Sequence, residues 1–396
     1  MEQKLIGTTT VFSTDRCREK NKGILKLTHP AMLAEEETLR WLDSVHLDEV
    51  AANMDADLRT AAENALSKGT VLLANTAWKT ADEWEKWLQI DNKKKKRVHL
   101  LALGDVGSTV LTALKLMGGD CIETLGIYDV NPDVCARWET ELNQAAFPWD
   151  YDALPTVEIL TEEQLFDCDM FIFCASKGIP PVGSQVQDVR MVQYEANKGI
   201  ISIFAKKARD AKFEGLFAVV SDPVDPLCRA AFLASNEDEA GIFDGKGLRP
   251  EQVQGYGLGV MNARAAYYAK QNPNFADFLT EGRAFGPHGQ DLVIANSIAN
   301  YDDERSKALT KLAIEANLRM RELGFKPYVA PAISSAAISL LLTLRGEWHY
   351  SSNFLNGVYM GSKNRTTLGV EIESLPLPDA LFQRIQKAYD GLEMIR

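Results

Sequence analysis

Three observations predict an α/β fold: a doubly wound parallel sheet, followed by a mixed α/β domain and preceded by a helical N-terminal extension. Short apolar runs alternate with helical segments from Arg97 onward, a glycine turn follows the first of these runs, and after about residue 245 the rhythm becomes mixed. Strand and helix in alternation make consecutive strands parallel, because each helix must cross over the sheet before the next strand begins.

The elements follow in order. Residues 1–95 carry "AEEETLRWLDSVHLDEVAANM" and "WKTADEWEKWLQI", with apolar residues three and four apart and acids between them. That spacing predicts amphipathic helices, and Trp41, Trp78, Trp84 and Trp87 mark faces expected to pack on the main body. In residues 96–245, "RVHLLALG", "ETLGIYDV", "CDMFIFCAS" and "GLFAVVSDP" read as buried strands, while "STVLTALKLMG" and "NKGIISIFAKKARDA" have helical spacing. In residues 246–396, "SKALTKLAIEANLRMREL" and "ISSAAISLLLTLRG" are expected helices; "NGVYMGS" and "TLGVEIES" are expected antiparallel strands.

Composition narrows the function class. With 396 residues, 46% hydrophobic and 25% charged, the chain is long enough for two domains or for one large domain with an extension. A net charge of -12 argues against nucleic acid, whose phosphates require clustered Lys and Arg. The basic run Lys93 to Arg97 leads straight into a strand and reads as its solvated entrance. Cys17, Cys121, Cys135, Cys168, Cys174 and Cys228 form no CxxC pair, which fits reduced thiols and no metal site. The N-terminus shows no signal pattern, and no apolar stretch approaches the roughly 20 residues that span a bilayer. A cytoplasmic protein without a membrane partner is expected.

The first strand ends in "ALGDVGSTV". Gly104 and Gly107 stand where a Rossmann turn brings backbone close to a pyrophosphate and packs the next helix tightly, with the helix N-terminus facing the phosphates. Ala102 occupies the position of the usual first glycine, and Asp105 and Val106 complete the turn. The second strand, "LGIYDV", ends in Asp129, a carboxylate placed to accept from adenosine ribose hydroxyls and to repel a 2′-phosphate. The order strand, turn, helix, strand, acid predicts a dinucleotide site and NAD in preference to NADP.

With "LGDVG", "IYDV", "SDPVDPL", "GYGLGVMNAR" and "GPHG" in chain order, the sequence resembles the lactate/malate dehydrogenase family over roughly residues 97–395. The resemblance implies hydride transfer between NAD(H) and a small 2-oxo/2-hydroxy carboxylic acid. It implies His288 as the acid/base at the C2 oxygen, Arg264 as the clamp on the substrate carboxylate, and Arg190, before Asn197 in "RMVQYEAN", as the residue polarising the carbonyl when a loop closes. Ala175 and Asn197 fall at cofactor positions. A homodimer or homotetramer is implied as well.

Several positions depart from the family pattern. The aspartate that orients the histidine is replaced by Met261, and the family's asparagine in "SDPVDPL" is Asp222. An aspartate there either replaces the missing carboxylate beside His288 or faces a cationic substrate group. The second case favours reduction of a protonated imine, because stabilising charge must match the charge that develops in the transition state. A catalytically silent NAD-binding homologue is the third reading. The loop "CASKGIPPVGSQVQDVR" is longer than the usual dehydrogenase loop, which implies a larger or differently shaped substrate beneath a water-excluding lid. "KPYVAPAISSA" resembles the wall of the substrate pocket.

Overall fold

From Lys96 onward the apolar runs pair into one sheet, whose central strands, Lys96–Leu101 and Met170–Phe173, bury side chains on both faces. The computed structural model describes residues 94–177, 189–289 and 291–395 except 356, 368 and 374, together with four short strands and a few single residues before position 94.

The N-terminal strands are β1 (Glu2–Ile6), β2 (Thr9–Ser13), β3 (Leu39–Leu42) and β4 (Thr70–Ala74). The nine-stranded sheet is built from β5 (Lys96–Leu101), β6 (Ile122–Tyr128), β7 (Thr156–Ile159), β8 (Met170–Phe173), β9 (Leu216–Val219), β10 (Val253–Gly255), β13 (His349–Leu355), β14 (Val358–Thr366) and β15 (Val370–Ile372). A hairpin of β11 (Arg283–Phe285) and β12 (Val293–Ala295) stands apart from it. The sheet order is β15-β14-β13-β10-β9-β8-β5-β6-β7. Its six strands from β7 to β10 are parallel, and they run third, second, first, fourth, fifth, sixth in chain order. That is the doubly wound order of a dinucleotide fold, with its switch point between β5 and β8.

Period-2 alternation assigns the side chains to two layers. Leu101, Phe171, Phe173, Phe217 and Val219 pack on one face against Ile201, Ala205 and Ala208 of helix α3 (Val189–Asp210) and Leu227 of α4 (Val224–Asn236). Val98, Leu100, Met170, Ile172 and Ala218 pack on the other against Val110, Leu111 and Leu114 of α1 (Asp105–Met117), joined by Cys135 and Leu142 of α2 (Pro132–Asn143). Fully buried Phe171 and Phe217 each contribute roughly 2–3 kcal/mol of transfer free energy. Local chemistry sets the helix ends: the Asn131 side chain accepts the Asp133 N–H before α2, and Pro132 starts that helix without an unsatisfied donor.

The longer helices that follow are α5 (Leu258–Ala269), α6 (Asp303–Glu322), α7 (Ile338–Arg345) and α8 (Asp379–Glu393). A π-helical turn, Pro331–Ala337, precedes α7 and packs between α1 and α5. The sheet runs through position 245: β10 adds the sixth parallel strand, and β13, β14 and β15 extend it antiparallel. The antiparallel strands expected near the C-terminus thus share the sheet of the dinucleotide fold. No described helix is long and apolar enough to cross a membrane.

The N-terminal extension departs from the helical expectation. Its four strands form a sheet of order β1-β2-β4-β3, in which β2 and β4 are parallel. Trp41, in a stretch with helical spacing, lies in β3 opposite Leu72. Pairing with a distant strand outweighs local periodicity when the apolar run is this short. Helix is present too: Asp82, Glu83 and Lys86 are helical, and Thr80 and Glu83 form a reciprocal capping box, with the Thr80 N–H donating to Glu83 Oε2 at 2.8 Å. Trp78, Trp84 and Trp87 lie outside the described residues.

Candidate active site

The carboxyl ends of β5, β6, β8 and β9 gather nearly every residue singled out in the sequence. At the end of β5, Ala102 donates its N–H to Tyr128 O at 2.8 Å and adopts φ +74°, the left-handed region that favours glycine. Gly107 is required sterically, since a Cβ there would lie 1.9 Å from the Ala102 carbonyl oxygen. Val106 packs into the core behind the turn. Gly104 caps α1 with no side chain, so the first-turn amides have no local acceptor, and a Cβ on Gly104 would meet no protein atom within 4 Å. Such a turn has the shape and polarity to receive a phosphate. Asp105, the first residue of α1, pairs with Lys326 Nζ at 2.8 Å.

Asp129 follows β6 and ties the turn down: its carboxylate accepts the Leu103 N–H at 2.8 Å and the Asn131 N–H at 3.0 Å. A carboxylate has about four acceptor positions, so capacity for ribose hydroxyls remains. Across the switch point, Ala175 accepts a hydrogen bond from the Ser221 hydroxyl at 2.7 Å. Asn197 is fully buried, and its amide is engaged on both sides. It donates to Ser176 Oγ at 3.1 Å and to the Asp222 carbonyl at 2.8 Å, and accepts the Lys177 N–H at 2.9 Å. It therefore holds the segments after β8 and β9 together rather than presenting its side chain at the surface of the cleft. Arg190 lies in the first turn of α3; its side chain is outside the described residues.

The glycines around His288 have a conformational purpose. Gly286 has φ +87° and Gly289 φ +138°, values that side chains other than glycine's rarely permit. The Gly286 N–H donates to Gly361 O at 2.9 Å, anchoring the loop between β11 and β12 to the main sheet. Gly257 clears the other side: a Cβ there would stand 3.0 Å from the His288 Cβ. So held, His288 brings Nδ1 to 3.4 Å from Asp222 Oδ1, the carboxylate that follows β9.

Arg264 lies on α5, half-buried. It donates to the Met261 sulfur at 3.4 Å, to Ala313 O at 3.4 Å and to the Asn317 side-chain oxygen. None of these partners carries a charge. Burial lowers its pKa, opposed by the fields of Tyr268 and Asp222, so the arginine lies within electrostatic reach of the His288 pair. A desolvated guanidinium with neutral neighbours favours an incoming carboxylate, which can take two N–H bonds at once. Met261 thus packs against Arg264.

Two residues of the site escaped sequence reading. Asp225, buried in the first turn of α4, accepts the Ser352 hydroxyl and the His288 backbone N–H; burial pushes its carboxyl up to about 6. Ser335 accepts the Val260 N–H at 2.8 Å and donates to Gly257 O at 2.6 Å, capping α5 from the π-helical turn. Asp225 stands inside the quoted "SDPVDPL" and was legible as an acid near the site. Ser335 lies in "KPYVAPAISSA", and nothing local marks it.

No family model matches the chain. A probable malate dehydrogenase of Campylobacter jejuni is 27% identical over 291 residues, 69% of this chain and 87% of that protein. An L-lactate dehydrogenase of Staphylococcus epidermidis is 24% identical over 323 residues, 75% and 95% of the two chains. Among solved structures, malate dehydrogenase from Archaeoglobus fulgidus in complex with NADH superposes with a TM-score of 0.60 at 18% identity, covering 76% of this chain and 98% of that one. Minor L-lactate dehydrogenase from Enterococcus mundtii gives 0.60 at 18%, covering 76% and 97%. These relatives, with the strand order and glycine turn described above, make the chain similar to the lactate/malate dehydrogenases in sequence and in fold.

Proposed function

We propose that this protein is an NAD(H)-dependent oxidoreductase acting on a 2-oxo/2-hydroxy carboxylic acid. The observation that carries the reading is the His288–Asp222 pair at 3.4 Å, set within electrostatic reach of the half-buried cation Arg264. Relatives named malate and lactate dehydrogenase support it.

The first-turn amides of α1 at Asp105, Val106 and Gly107 would hold the cofactor pyrophosphate, Asp129 its adenosine ribose, and the backbone around Ala175 its nicotinamide side. When bound, the cofactor supplies a hydride to the substrate C2 or accepts one from it. Arg264 holds the substrate carboxylate by paired hydrogen bonds and so orients C2. Protonated His288 donates to the C2 oxygen during reduction and recovers that proton during oxidation. Asp222 stabilises the imidazolium form through Nδ1, taking over the work of the carboxylate that Met261 has displaced. Arg190 polarises the C2 carbonyl from the start of α3.

The engagement of Asp222 with His288 favours the keto acid over the imine, because a carboxylate already paired to the histidine is not free to face a cationic substrate group. The test is NADH oxidation, followed by absorbance, against a panel of 2-oxo acids with and without ammonia. Turnover of keto acids without amine is expected, reduced by about 10²–10⁴-fold in His288→Gln with NADH binding retained. Turnover only with amine would establish the imine reading, and NADH binding without any turnover would establish a silent homologue.

A further inference from the structure

The helix that receives the phosphates carries a charge of the wrong sign. Asp105 is the first residue of α1, so its carboxylate stands in the same turn as the amides offered to the pyrophosphate. A carboxylate there suits the helix dipole but repels an anionic ligand. The structure compensates from a distant segment: Lys326, which follows α6 and precedes the π-helical turn, places Nζ 2.8 Å from Asp105 Oδ2. Both side chains are open to solvent, at 80% for Lys326 and 50% for Asp105. A pair this exposed adds little to folding stability, typically about 0–1 kcal/mol. Its position at the mouth of the glycine turn is therefore better explained by the charge it balances than by the structure it holds.

On the dinucleotide reading above, we infer that Lys326 is a phosphate-side residue of the cofactor site. It neutralises Asp105 in the free protein and contributes its positive charge to the pyrophosphate in the complex.

The test is a fluorescence titration of the full chain with NADH at low and at physiological salt, using Lys326→Met, Asp105→Asn and the double variant. Lys326→Met leaves Asp105 uncompensated, and NADH binding is expected to weaken by about tenfold at low salt and by less at higher salt. Asp105→Asn is expected to tighten binding by about threefold, since it removes a repulsion and frees the lysine. The double variant should return to within about threefold of the unaltered protein, because both charges are gone. ADP-ribose should follow the same order, whereas adenosine, lacking the pyrophosphate, should bind all four proteins alike. Thermal unfolding checks that the surface substitutions leave the fold intact.

Unchanged NADH affinity in Lys326→Met would overturn the assignment to Lys326 and leave the dinucleotide site standing. So would a double variant as weak as Lys326→Met alone. Failure of the unaltered protein to bind NADH would overturn the dinucleotide reading and this inference with it.

Discussion

Asp222→Asn isolates the relocated carboxylate. The substitution installs the family's own residue at that position and changes the side chain's volume little, so the loop after β9 should keep its shape. What it removes is the charge 3.4 Å from His288 Nδ1. Coulomb energy at that distance is about 1 kcal/mol in a water-like dielectric and about 5 kcal/mol at an effective dielectric constant of 20. Asp222 is 49% exposed, which places the pair toward the weaker limit, at about 1–2 kcal/mol. In reduction the protonated histidine is the proton donor, and in oxidation it is the product of proton abstraction; both directions lose the same stabilisation. Turnover should therefore fall by about 5–30-fold in either direction. The assay is steady-state kcat for a 2-oxo acid accepted by the unaltered protein, beside NADH affinity from fluorescence. Full kcat in Asp222→Asn would refute the substituted dyad, as would a loss carried entirely by weaker NADH binding.

Two further outcomes test the surrounding frame. Ala102→Gly relieves a left-handed residue at φ +74° and should raise stability by up to about 1 kcal/mol, read as a higher urea midpoint with an unchanged slope. Asp225 has a folded-state pKa of about 6, above its ordinary 3.8, because burial disfavours the charged form. Its contribution to stability is thus fully present below about pH 4 and is lost as pH rises through 6, an effect of about 3 kcal/mol at most. Asp225→Asn keeps an acceptor for Ser352 and cannot ionise, so urea unfolding of this variant between pH 4 and 7 should show a smaller decline than the unaltered protein; parallel profiles would refute the assignment.

The parallel sheet was legible because its signal is local. Runs such as "MFIF" in β8 alternate between two apolar layers, and the glycine turn and Asp129 follow their strands at the spacing a crossover helix requires. His288 was legible for a similar reason: glycines at 286 and 289 mark the positive φ values that hold the loop. The N-terminal extension misled because helical spacing in "LRWL" is carried by four residues, too few to resist pairing with β4. Asn197 was read from the family as a cofactor neighbour, and only its buried hydrogen bonds show it tying two segments together.

By itself the sequence determined the alternation of elements and the chemistry of the glycine turn, since each depends on neighbours a few positions away, while the roles proposed for His288 and Arg264 rest on the family resemblance. Tertiary structure decided which carboxylate serves His288, that Asp225 lies buried behind it, that Ser335 caps the helix of Arg264, and that Lys326 neutralises Asp105. These are contacts between residues far apart in the chain, and their charge balance exists only once the sheet has brought its strand ends together.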